Sequence, residues 1–290
     1  MAGVGYKQEG LIWYPKIKLK IKMSINHQPY QGHPYHLVTV SPWPLFTSFS
    51  LLSMAITAVG YFQGLPYSGI GLNLSFIVTL YVMILWFRDV IMESTYLGDH
   101  TLQVQKGIFI GMILFIISEV FAFLSIFWAY LHSSLSPNVE IGNSWPPQGI
   151  TPLNPWAIPL LNTFILLSSG ITITYAHHAL IQGNRKDAIN GTFLTIILAL
   201  IFTGLQYVEY KQASFTFADS VYGSVFFAST GLHGLHIIVG TIFLTVGLFR
   251  IVFYHLTVHH HAGYESGILY WHFVDVVWLF LFAVVYWWGG

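Results

Sequence analysis

Ionisable residues are unevenly spaced along this chain, and the long gaps between them define its elements. From Leu37 to Phe87 there is no Asp, Glu, Lys, Arg or His. A membrane helix needs about 20 largely apolar residues, so that stretch holds two. Gln63-Gly64-Leu65-Pro66, with Gly69 and Gly71, supplies the break between them. The pattern predicts helices near 43–64 and 70–93. A third runs over about 103–135, interrupted by the single acid Glu119. A loop rich in Pro, Asn and Gly follows from Ser136 to Pro155. Helix 4 is expected over about 157–181, ending at His177-His178. Arg185-Lys186-Asp187 read as a short turn into helix 5, about 187–210. Helix 6 covers about 219–252 with Asp219 as its N-cap, and helix 7 covers about 263–287. The fold class is all-α, a polytopic membrane protein with seven transmembrane helices.

Composition agrees with that pattern. The 290 residues are 55% hydrophobic and only 8% charged, against about 25% in ordinary soluble domains. Eleven cations balance eleven anions, so no basic surplus exists to neutralise nucleic-acid phosphates. The aromatic load of 17% excludes a disordered chain. With no cysteine there are no disulfides, thiolate metal sites or cysteine nucleophiles.

An odd number of spans puts the termini on opposite sides. Lys7, Lys16, Lys18, Lys20, Lys22, Arg88, Lys106, Arg185, Lys186 and Arg250 then fall on the N-terminal side, against Lys211 alone on the other. That asymmetry places the N-terminus in the cytoplasm or mitochondrial matrix. Residues 1–34 form a basic extension. Within it KIKLKIK (16–22) alternates with period two, which fits neither a span nor an amphipathic helix. It reads as a basic tail, with a removable leader or a start at Met23 as the other reading.

Polar residues within spans are costly and mark functional candidates. Glu119 lies thirteen residues beyond Lys106, roughly 20 Å deep at about 1.5 Å per residue. It is either a proton-linked acid or a structural one donating an interhelical hydrogen bond. His233 and His236 share a face of helix 6, and His272 and Asp275 share one of helix 7. They read as a polar seam between the two helices or as a metal or haem site. Gly231, Gly234 and Gly240 favour the seam, because they make helix 6 a close-packing surface. At the N-terminal-side interface stand Trp86, Arg88, Asp89, Glu93, His100, Arg250, His255 and His259-His260-His261. Such groups bind anionic lipid head groups or pair locally. The HxxxHH spacing of His255, His259 and His260 also fits a membrane di-iron enzyme, which would need further histidine boxes. Walker, GxSxG and strand-linked GxGxxG motifs are lacking. Prolines cluster in loops, and there is no internal repeat of the kind that transporters carry.

Long motifs then name a family. SPWPL (41–45), WFRDVIMESTYLGDHT (86–101), GMILFIISEVFAF (111–123) and FWAYLHSSLSP (127–137) closely resemble subunit III of cytochrome c oxidase. So do WPPQGI (145–150), PLNPWAIPLLNT (152–163), VYGSVFFASTGLHGLH (221–236), YWHFVDVVWLF (270–280) and YWWG (286–289). The likeness runs from about Tyr35 to the end and is to a mitochondrial form.

The resemblance implies seven helices in two groups, 1–2 and 3–7, separated by a V-shaped, lipid-filled cleft. It implies an accessory core subunit of complex IV, which reduces oxygen with electrons from cytochrome c and pumps protons. The chain itself would carry no catalytic residue and no metal, with haem a and copper in partner subunits. It would hold phospholipids through positions matching Arg88, Glu93, His100, Arg250 and His255, with Trp86 beside them. Glu119 matches the family's buried acid. Subunit I is the chief implied partner, with other complex IV subunits and other respiratory complexes beyond it. One departure stands out: animal forms often carry a second arginine where this chain has Met92.

Overall fold

The computed structural model describes residues 32–290; the KIKLKIK segment and nearly all of the basic extension lie outside the described residues. Residues 35–290 form one compact unit. It is built of seven helices: α1 Trp43–Phe62, α2 Ser68–Met92, α3 Leu102–Leu135, α4 Ile158–Ile181, α5 Arg185–Gln212, α6 Val221–Val252 and α7 Ala262–Leu281. Each is long and apolar enough to cross a membrane. No strand occurs among the described residues.

Short polar side chains set where several helices begin. Thr101 caps α3 by accepting from the Val104 N–H, and Asn184 caps α5 by accepting from that of Asp187. The Asn184 cap places Arg185-Lys186-Asp187 in the first turn of α5 instead of in a linking turn. Ser220, not Asp219, caps α6, accepting from the Tyr222 N–H. Asp219 instead accepts from the Thr216 N–H at 2.6 Å, closing the loop before the helix. α2 runs past its expected end through a π-turn over Glu93–Leu97, whereas α7 reaches the expected end, its last turns being a π-helical segment over Phe282–Trp287. Such widened turns are local departures that sequence periodicity does not encode.

Packing follows burial. α1 lies along α2; α4 packs on α5 and α7, α5 on α6, α6 on α7, and α3 on α6 and α7. α7 is the most enclosed, with 56% of its apolar window buried, against 6% for α3. Its Trp271 and Trp278 sit in the core with Tyr286, Phe202, Phe226 and Leu166. By contrast the outer faces of α1, α2 and α3 present Phe49, Ile56, Ile77, Tyr81, Leu114 and Phe121 to the surroundings. In lipid such faces carry no penalty, and helix association depends on close packing and interhelical hydrogen bonds. Those bonds are present: Trp271 Nε1 donates to Ser169 Oγ and Trp278 Nε1 to Thr163 Oγ1, both at 2.9 Å. Thr172 meets Thr195 at 2.7 Å, Tyr264 meets Thr192 at 2.6 Å, and Tyr210 donates to Thr230 at 2.7 Å.

Candidate functional site

Antiparallel succession brings the start of α1, the end of α2 and the starts of α3, α5 and α7 to one end of the helices, with the ends of α4 and α6. Among the described residues Arg88, Lys106, Arg185, Lys186 and Arg250 lie there, and Lys211 lies at the other end. At the cationic end α2 leaves its helix through the π-turn, and Gly98, at φ 74°, reverses the chain toward α3. Ser94, Thr95 and Tyr96 thereby face the end of α6. Arg250 Nη2 donates to Ser94 Oγ at 3.3 Å and to Thr95 Oγ1 at 3.4 Å. His255 Nε2 lies 3.1 Å from the Tyr96 hydroxyl. These contacts tie the α2 end to the α6 end.

The Arg250 guanidinium retains a buried Nε with no hydrogen-bond partner. Beside it is a cavity of about 100 Å³ lined by Ser94, His100, Gln105, Arg250 and His260. A buried charged donor lacking an acceptor is costly, so this nitrogen fits an anionic ligand. Burial and the neighbouring Arg250 hold the His255 imidazole below its ordinary pKa. Burial, and secondly His36, act likewise on His100. Both shifts favour the uncharged imidazole, and Arg250 brings a permanent positive charge to the cavity.

The other expected interface residues divide. Arg88 makes a two-pronged contact with Asp89 Oδ1, at 2.8 and 3.1 Å, and Asp89 also accepts from the Trp43 indole of α1. The Arg88 side chain is 59% exposed, so the pair leaves it open to a further anion. Trp86 is partly exposed on the same helix. Glu93 and His100 approach His36, a residue that sequence reasoning did not single out. His255, His259 and His260 are not gathered into a donor set with one another; His255 turns to Tyr96.

Within the spans, Glu119 of α3 meets His236 of α6, with Oε2 and Nε2 3.0 Å apart. His236 Nδ1 lies 2.8 Å from the Leu232 carbonyl, which can only accept, so Nδ1 bears a hydrogen. Nε2 then either accepts a proton from Glu119 or donates one to its carboxylate. His233 Nε2 reaches the Val274 carbonyl at 3.2 Å, linking α6 to α7. His272 and Asp275 turn away from that contact: His272 Nε2 lies 3.2 Å from Thr174 Oγ1 on α4, and its Nδ1 3.8 Å from Asp275. The four expected seam residues are thus distributed over three junctions, α3–α6, α6–α7 and α4–α7.

A buried acid that sequence reasoning missed lies near the opposite end. Glu209 is 2% exposed, accepts from the Tyr286 hydroxyl at 2.6 Å and from Gln206 Nε2 at 3.1 Å, and Gln206 in turn accepts from Asn162. It stands two residues before Lys211, at the end of the expected helix 5, and was not singled out. The signal that would have found it is the Gln206–Glu209 spacing, which puts two polar groups on one helix face.

Residues 33–290 match the family model described as cytochrome c oxidase subunit III. Three similar proteins are each named cytochrome c oxidase subunit 3. The one from Emericella nidulans is 62% identical over 260 residues, covering 90% of this chain and 97% of its own. That from Mycosarcoma maydis is 58% identical over 271 residues, covering 92% and 98%. That from Rhizopus stolonifer is 59% identical over 266 residues, covering 92% and 94%. With seven membrane-capable helices and a match running from residue 33 to the last, the chain belongs to the cytochrome c oxidase subunit III family.

Proposed function

We propose that this chain is the supporting, non-catalytic subunit of mitochondrial complex IV, packed chiefly on subunit I. The oxidase reduces oxygen to water with electrons from cytochrome c and pumps protons. The haems and copper that do so reside in partner subunits, and this chain contributes fold, lipid and surface. It crosses the inner membrane seven times with its N-terminus in the matrix and its C-terminus in the intermembrane space, as the cation bias requires. α1–α2 and α3–α7 form two groups, and phospholipid fills the V between them. Neighbours include other complex IV subunits and, in supercomplexes, other respiratory complexes.

The observation that carries the lipid part is Arg250. Its guanidinium is anchored to Ser94 and Thr95 of the α2 turn while its buried Nε lacks an acceptor. A phosphate oxygen supplies that acceptor and the matching charge. Trp86, Arg88, Glu93, His100 and His255 surround the same region and complete the head-group environment. The lipid then braces the α2 end against the α6 end. A histidine-rich, cationic matrix face sustains proton uptake beside subunit I. Glu119 with His236 is a proton-holding pair between α3 and α6.

Arg250→Ala is expected to lower the anionic phospholipid retained by the purified complex by about one molecule, as a single head-group contact would. Native mass spectrometry of the complex with its lipids reads this directly. Identical lipid content in variant and parent would overturn the assignment.

A further inference from the structure

The turn that follows α2 does more than present Ser94 and Thr95 to Arg250. It folds Glu93 and His100 back toward each other, and His36, from the segment leading into α1, comes up beside them. One donor atom from each of His36, Glu93 and His100 lies within 4.8 Å of the others. The His36 and His100 rings stand 5.8 Å apart at 58°, so neither is stacked face to face on the other. Asp99 is adjacent, its Oδ2 3.7 Å from His36 Nε2. Two imidazoles and two carboxylates from three separate stretches of chain thus converge outside the spans.

From this convergence we propose that His36, Glu93 and His100 form a binding site for a zinc-class divalent cation, with Asp99 or water as the fourth ligand. The donor set selects the ion class. Nitrogen donors favour borderline metals such as zinc over magnesium or calcium, which take oxygen. Around a tetrahedral zinc, ligand atoms are about 3.4 Å apart, so closing the site needs side-chain shifts of about 1 Å. The side chain of His36 is only 12% exposed, so little freedom is lost on coordination.

The site would clamp the segment before α1 to the turn after α2 and to the loop opening α3. Zinc has no redox chemistry. The role is therefore structural and separate from electron transfer in the partner subunits. It borders the lipid reading, sharing Glu93 and His100 with the head-group environment, and goes beyond it by adding His36 and a cation, while Arg250, which carries the lipid reading, is not a ligand.

The test is equilibrium zinc binding to the purified, chelator-washed oxidase complex, using radioactive zinc, for the parent and for His36→Ala and Glu93→Gln. The parent is expected to bind one more zinc per complex than either variant, with this subunit still present in all three. Competing magnesium in large excess should leave that zinc in place. Equal zinc in parent and His36→Ala would overturn the proposal, as would displacement of the zinc by magnesium. His36 precedes α1, so its truncation leaves the helices intact and decides the matter even if Glu93→Gln disturbs the turn. Arg250→Ala distinguishes the two ligands at this shared region: it should lose phospholipid while keeping the zinc.

Discussion

Gly191→Leu is expected to part α4 from α5 and to reduce sharply the amount of this subunit that purifies with the oxidase. Gly191 is buried against α4, at Thr172 and Ala176. A Cβ there would stand 2.9 Å from the Ala176 Cβ and 3.0 Å from the Thr172 carbonyl oxygen, with the Ala176 Cα at 3.3 Å. These are backbone or first-carbon atoms of a neighbouring helix, and none can rotate aside. Moving α4 outward breaks the Thr172–Thr195 hydrogen bond, whose Thr195 hydroxyl also donates to the Gly191 carbonyl. In a membrane the loss is not offset by hydrophobic collapse, because lipid solvates the separated faces as well as a partner helix does. Overpacking typically costs about 1–3 kcal/mol, and a rigid helix–helix contact sits at or beyond the upper end. The graded series Gly, Ala, Leu should give falling recovery and falling thermal stability of the subunit in detergent. Full recovery of the Leu variant would show that α4 and α5 do not meet at Gly191.

Trp271→Ala should destabilise the subunit by about 3–5 kcal/mol, the usual cost of emptying a fully enclosed large aromatic site. Trp271 is 0% exposed. Its indole N–H donates to Ser169 on α4, and its ring lies over Gly240 of α6. One side chain therefore joins three helices, and truncation leaves a cavity and removes the interhelical hydrogen bond to Ser169, whose hydroxyl keeps only its bond to the Leu166 carbonyl. Trp287, 61% exposed, is the control whose truncation should cost little of the subunit's own stability. Thermal unfolding of the two variants checks the contrast; similar midpoints would contradict the assigned packing.

The spans were legible in the sequence because membrane insertion imposes a simple rule, few charges over about 20 residues, and the gaps between ionisable residues report it. Boundaries were legible less often. Arg185-Lys186-Asp187 reads as a turn from charge alone, yet the Asn184 cap draws those residues into α5. The π-turn after Met92 has no periodic signature, and it is the feature that aims Ser94, Thr95 and Glu93. Candidate residues were legible one at a time, since an acid at position 119 or an arginine at 250 is conspicuous in an apolar run. Their partners were not. Glu119 and His236 are separated by 117 positions, and only helix packing decides that they meet. His36 was passed over because it lies outside every span, and Glu209 because its burial depends on Tyr286, 77 positions away.

The account holds that this chain supports the oxidase without carrying its chemistry. The most direct test is oxygen consumption by the purified complex stripped of this subunit, followed from the first turnovers onward. The expected result is an initial rate close to that of the intact complex, then early decay as proton uptake falters and the unsupported site is damaged. Absence of oxygen reduction from the first turnover would place an essential reacting group on this chain, and undiminished endurance would deny it a supporting role.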